Sequence, residues 1–476
     1  MGYPTVFPTG VTVYNPEKCC NGFTVFGING MGALLIDMNG AEMRLWEGVL
    51  GFPCRIFPGG VLLGSRGERN PAHGFQDNLD LVEWDWDGNV LWQYDGTEYI
   101  EDPGEKPGWQ ARQHHDYQRE GNPVGYYVPG QDPLMDRGNT LVLCHRNLYQ
   151  PKISDKLLVD DIIVEADRAG NKVWEWVCSE HFAEFGFDQT AKNSLYRNPN
   201  LRLGGTPLGD WMHVNCLSTL GPNRRYDAGD GRFHPDNIIC DGRETNILFI
   251  IDKKSGKVVW QTGPDYDRGP EKKLGWIIGP HHAHMIPRGL PGEGNILVYD
   301  NGGWAGYGAV NPASADGTKN AWRDYTRVLE FNPVNLEIVW QHTPREAGHT
   351  MPFNSSRFYS PFVSSAQRLP NGNTLICEGS EGRFLEVTPD HELVWEFINP
   401  YRGPGNLSII YRCYRLPYEW APRAEHTAET AMAAPAYGSF RMPGASSARI
   451  SSVKIPGCVF LKQQDPARSL CIGGVD

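Results

Sequence analysis

The chain has 476 residues, with 44 Lys and Arg against 56 Asp and Glu, a net charge of −12, and 11% aromatic residues. Such a chain can build a large core and is not intrinsically disordered. Its acidic balance excludes charge-driven binding to nucleic acid or to an anionic membrane. No apolar run approaches the roughly 18 residues of a spanning helix.

Residues 1–10, MGYPTVFPTG, show no basic segment followed by an apolar one, so no secretory signal is read there and a cytoplasmic location is expected. Eleven Cys, an odd number without a CxxC pair, suit free thiols in a reducing compartment. The adjacent Cys19 and Cys20 read as two thiols rather than a vicinal disulfide. GVTVYNPEKCCNGFTVFGI is expected to supply strands that complete a blade with the chain's other end.

From there a unit repeats: an apolar strand, a short turn, and a strand ending in Trp. It occurs as ALLIDMNGAEMRLW (Trp46), LVEWDWDGNVLW (Trp92), IIVEADRAGNKVW (Trp174), ILFIIDKKSGKVVW (Trp260), VLEFNPVNLEIVW (Trp340) and FLEVTPDHELVW (Trp395). The two-residue alternation on each side of turns such as Asp87-Gly88 and Ser255-Gly256 predicts β-hairpins. A turn-plus-strand element such as FPGGVLLGSR or LPNGNTLICEG precedes most copies. With one further strand, each unit has four strands in about 50 residues, plus insertions in the middle copies. Six such units predict an all-β chain, a six-bladed β-propeller over residues 1–420. Gly/Pro/aromatic-rich loops are expected near 99–135, 179–210 and 303–325, with a short helix near 181–199. Residues 421–476 lack the repeat and are expected as an irregular tail packed on the propeller edge.

The inner strand of every blade faces the central channel, so equivalent positions of distant repeats become neighbours. Those strands are expected just before the turn elements: RQHHDYQ with His114 and His115, WMHVNCLS with His213, GPHHAHMIP with His281, His282 and His284, and PFVSSAQRLP with Ser364 and Ser365. Arg243 is expected where its blade's inner strand ends. Six of the 14 His thus fall on three equivalent segments. Converging imidazoles can serve as nucleophile, proton donor or metal ligand, and a guanidinium beside them offers a fork for a tetrahedral oxyanion.

The segments HHAHMIPRGLPGEGNILVYDNG, WMHVNCLS…CDGRETNILFIIDKKSGKVVW and SSAQRLPNGNTLICEGSEGRFLEVTPDHELVWEFINP resemble the bacterial arylsulfate sulfotransferases, six-bladed propellers that move a sulfuryl group from a phenolic sulfate ester to another phenol. GVTVYNPEKCCNGFTVF and YRCYRLPYEW extend the likeness over roughly residues 9–420. In that family a channel His forms a covalent sulfohistidine. The matching run is Pro280-His281-His282-Ala283 with Asp300-Asn301-Gly302, so the resemblance implies His281 as nucleophile. It further implies that His213 and Arg243 hold the sulfuryl oxygens and that His115 assists proton transfer. His282, His284, His114, Ser364 and Ser365 are expected to contribute to substrate binding. The reading needs no cofactor and no nucleotide sulfate donor. It takes a small aromatic substrate as partner, excludes nucleic acid and membrane, and allows a homodimer.

Two other readings of the same residues stay open. His115, His213, His281 and His282, with Asp116 near by, could hold a divalent metal ion in a lyase, hydratase or hydrolase of a small aromatic or oxyanion-bearing substrate. The scaffold could also be a non-catalytic binding propeller, although such a protein has no need of imidazoles in its channel.

Overall fold

The computed structural model describes residues 9–201 and 208–434. Six antiparallel sheets stand around one axis. Blades 2 to 5 are each built from consecutive four-strand segments, apart from the hairpin inserted in blade 5. Their innermost strands are Leu50–Phe57, Gln113–Arg119, Val214–Thr219 and His281–Met285. Blade 6 begins with Ser365–Arg368.

The two chain ends close the ring twice over. Cys413–Leu416 is the innermost strand of blade 1, pairing with Phe23–Ile28. Gly10–Tyr14 adds a fifth, outermost strand to blade 6 by pairing with Leu393–Ile398. Residues 421–434 continue along this edge, where Tyr14 and Met432 exchange two backbone hydrogen bonds of 2.8 Å. The rest of the expected tail, 435–476, lies outside the described residues.

Local chemistry explains the repeat. In the outer hairpins Asp37, Asp85 and Asp167 each accept two backbone N–H bonds across the turn through Oδ1. A glycine then takes the left-handed position, as at Gly88 (φ 88°) and Gly170 (φ 82°), which a Cβ would strain. In blades 3 to 6 a Trp of the outer strand reaches the next blade. The indole N–H of Trp176 donates to Gly256 O at 2.8 Å, and those of Trp260, Trp340 and Trp395 donate to Pro333, Pro389 and Met38 at 2.9 Å. In blade 3 the stapling residue is therefore Trp176 and not the expected Trp174. The helical segment near 181–199 resolves into a 3-10 turn, Cys178–Phe185, and an α-helix, Gln189–Arg197. The nine described cysteines are all free, Cys19 and Cys20 included.

Candidate functional site

The inner strands of blades 3, 4 and 5 break register near their channel ends, with shifts between Gln113 and Tyr117, Val214 and Cys216, and His281 and His284. At or beside these bulges His115, His213 and His282 take positive φ values of 52°, 53° and 54°. That conformation is costly for a residue with a side chain and clusters at functional sites. A bulge re-aims the side chains around it. Here it turns His115, His213 and His281 from three different blades toward one cavity.

The cavity, of about 260 Å³, is lined by these three imidazoles together with Arg243, Glu244, Lys319, Phe52, Phe75, Gln76, Phe362, Val363 and Tyr411. The His115 ring lies 4.6 Å from those of His213 and Phe52, and Phe52 stacks on Tyr411 at 4.0 Å. A second cavity of about 330 Å³ shares Phe52, Gln76, Val363 and Tyr411 with the first, so the two adjoin. It is walled by the glycine backbone of Gly27–Gly32 and Gly48–Gly51, where a Cβ on Gly27 would come within 2.3 Å of Gly51.

Each imidazole is oriented from behind. Asn301 donates its amide N–H groups to Ser360 O and Val363 O at 2.7 and 2.9 Å, which leaves its Oδ1 to accept the His281 Nδ1–H at 2.7 Å. The lone pair of His281 is thereby placed on Nε2, where the Val363 N–H approaches to 3.2 Å. Burial, and then the Arg243 guanidinium, hold the His281 pKa well below 6.5, so the ring is neutral. His213 is held through Nδ1 by Asp210 at 2.5 Å. His115 shares a hydrogen bond of 2.8 Å between its Nδ1 and that of His114. Burial and the neighbouring His213 and His114 keep the His115 pKa low as well. Arg243 follows the second strand of blade 4, Ile238–Gly242, and not its inner strand. It is fixed by Glu244 and lies 3.5 Å from Pro361 O.

The remaining expected residues sit elsewhere. His282 and His284 are buried below the cavity, where His284 Nε2 meets the Tyr126 hydroxyl at 2.9 Å. Ser364 donates to Ser360 Oγ at 2.8 Å and accepts from Gly379 N–H, a loop-bracing role, while Ser365 is buried in its strand. His114 stacks on His145 behind His115, with ring centroids 3.5 Å apart. None of these five side chains lines the cavity. Of the four imidazoles considered as joint metal ligands, His282 does not line the cavity shared by the other three, and among the described residues the one group spaced to hold a metal ion is His114, His145 and Asp161. Sequence reasoning missed Phe52, Phe75, Tyr411, Lys319 and Asp210. Phe75 and Tyr411 are loop residues and Phe52 and Lys319 strand residues, all four without a motif, and Asp210 is legible only as a carboxylate three residues before His213.

A family profile described as Arylsulfotransferase (ASST) matches residues 132–399, more than half of the chain. The chain belongs to the arylsulfotransferase family. The matched segment carries His213, Arg243 and His281 of the cavity, and His115 lies just before it. No curated protein matches the chain. Among solved structures, a protein of unknown function from Bacteroides caccae is 12% identical, with 83% of this chain and 99% of that one covered and a TM-score of 0.43. The Pseudomonas aeruginosa periplasmic gluconolactonase is 11% identical over 83% and 99% of the two chains, with a TM-score of 0.38. A β-propeller domain from Myceliophteria thermophila is 10% identical over 84% and 88%, with a TM-score of 0.34. At such distances these neighbours contribute nothing to the functional reading of this arylsulfotransferase-family chain. Among the described residues no helix is long and apolar enough to cross a membrane.

Proposed function

We propose that the protein transfers a sulfuryl group from a phenolic sulfate ester to a second phenol, with His281 as the transient covalent carrier. The observation that carries this reading is the meeting of His281, His213, His115 and Arg243 in one cavity, with the His281 lone pair placed on Nε2 by Asn301. A neutral imidazole is a competent nucleophile at neutral pH.

In the first half-reaction Nε2 of His281 forms a bond to sulfur as the sulfur–aryl oxygen bond breaks, and the electron pair leaves with the aryl oxygen. The approach of the ester displaces the 3.2 Å contact from the Val363 N–H. His115 donates a hydrogen bond from its Nε2–H to the leaving oxygen, which departs as the phenolate; this requires the tautomer whose Nδ1 accepts from His114. Arg243 and Lys319 donate to the sulfuryl oxygens, where charge builds up in the transition state, and His213, with Nδ1–H on Asp210, donates from Nε2 as its imidazolium. In the second half-reaction an acceptor phenol gives its proton to solvent and attacks sulfur as the phenolate, held by the same Nε2–H of His115, and the N–S bond breaks. Phe52 and Tyr411 supply ring faces for the aryl groups, and the adjoining glycine-walled cavity gives them room.

The test is direct. The purified protein should release a phenol from a chromogenic aryl sulfate in the presence of an acceptor phenol. His281→Ala should abolish release, and a quenched reaction should show one added SO3 on the peptide that contains His281. Turnover that survives His281→Ala would overturn the assignment of the nucleophile.

A further inference from the structure

Behind His115, on the side away from the cavity, three side chains that the transfer chemistry does not use face one another. His114 comes from the inner strand of blade 3, His145 from its second strand, Thr140–Tyr149, and Asp161 from its third, Leu157–Ala166. His145 and Asp161 are direct cross-strand partners and therefore share a sheet face. All three side chains are at most 1% exposed.

Every outer atom of this trio is engaged. His114 Nδ1 meets His115 Nδ1 at 2.8 Å, and His145 Nδ1–H donates to Asp77 Oδ1 at 2.6 Å. Asp77 is itself held by Arg112 and Arg69 at 2.8 and 3.2 Å. Asp161 Oδ2 accepts the Val214 N–H at 3.0 Å. The three inner atoms, His114 Nε2, His145 Nε2 and Asp161 Oδ1, are buried without a hydrogen bond. Asp161 Oδ1 lies 3.3 Å from His114 Nε2 and 3.8 Å from His145 Nε2. No Lys or Arg pairs with Asp161 among the described residues, and its neighbour Asp160 is buried too.

Buried polar atoms are rarely left without a partner, and three that face one another are rarer still. We infer that His114, His145 and Asp161 bind one divalent transition-metal ion through two imidazole nitrogens and a carboxylate oxygen, a donor set that suits Zn²⁺. The distances approach the roughly 3.3 Å ligand separation of a tetrahedral site with bonds of about 2.0–2.1 Å. The Asp77 carboxylate behind His145 is the outer partner that metal-bound histidines usually have. The two rings stack with an interplanar angle of 13°, so they must splay to aim both lone pairs at one ion. None of the trio lines the cavity, so the ion does not touch substrate. Its consequence there is indirect and rests on the sulfuryl-transfer reading. With Nε2 of His114 on the ion, the remaining ring proton is on Nδ1, and His115 must accept it at its own Nδ1. The His115 proton is then fixed on Nε2, where transfer needs it.

The experiment uses the full chain without a histidine tag, exposed to Zn²⁺ and freed of loose metal. Elemental analysis should find about one equivalent per chain, and the Co²⁺-exchanged protein should show the visible absorption of a low-coordinate nitrogen/oxygen site. Asp161→Asn and His145→Gln should lose both signals. Removing the ion should lower kcat for phenol release at unchanged KM, with recovery on Zn²⁺ addition. Metal content well under one equivalent, or an ion retained by both variants, would overturn the site. Should the variants not fold, the wild type decides: a Co²⁺ spectrum and a fall in Tm on chelation support the site, and the absence of both overturns it. Stoichiometry and spectrum do not depend on turnover, so failure of the transfer reading is seen separately.

Discussion

At the scale of single residues, the site depends on fixed direction more than on composition. Asn301 sets the tautomer of His281, and Glu244 sets the guanidinium of Arg243. Replacing Arg243 by Gln removes a fixed cation aimed at the sulfuryl oxygens and should cost about 100- to 1,000-fold in kcat, read in steady-state assays. The pH dependence follows from the same pair. Only neutral His281 attacks, and burial plus Arg243 keep it neutral below the ordinary imidazole pKa of 6.5. The acid limb of kcat/KM should therefore stay level as pH falls through 6.5, and in Arg243→Gln it should move up toward that value. The convergence of His115, His213 and His281 was legible because repeat register equates their positions. The exclusion of His282 from the cavity was not, because a bulge and one left-handed residue decide it.

At the scale of elements, each blade is tied to the next by parts of the repeat. Third-strand glutamates meet an arginine from the following inner strand: Glu83 with Arg119, Glu330 with Arg368 at 2.6 Å, and Glu386 with Arg415 at 2.9 Å. In blades 3 to 6 an outer-strand indole bonds to the following blade. Trp340→Phe keeps an aromatic ring and loses the bond to Pro389, which should cost about 1 kcal/mol or more in denaturant unfolding. Trp395 is fully buried and bonds blade 6 to blade 1, so Trp395→Ala should cost about 3–5 kcal/mol. The tryptophans were visible as a repeat, and their partners were not, because a carbonyl in the next blade leaves no mark in composition.

At the scale of the whole molecule, closure joins residues nearly 400 positions apart. The inner strand of blade 1 is supplied last, so the ring cannot close before Cys413–Leu416 is present. Truncation after residue 411 should leave blade 1 without its inner strand and uncover the channel at Arg412, which spans Asp116 and the Asn215 carbonyl. Loss of soluble, cooperatively unfolding protein, measured by circular dichroism, is the expected outcome. A shorter deletion, through Tyr14, removes only an outer strand and should lower Tm while exposing the edge of Leu393–Ile398.

The sequence by itself determined the six-fold repeat, the all-β class and the set of channel histidines, because alternation, turn chemistry and repeat register are local properties that recur along the chain. Tertiary structure alone decided which of those rings are kept out of the cavity, which stand behind it with Asp161, and which strand completes blade 1. Those outcomes depend on bulges, ring orientation and the meeting of distant segments, and the identity of a residue carries no information about the direction in which its lone pair points.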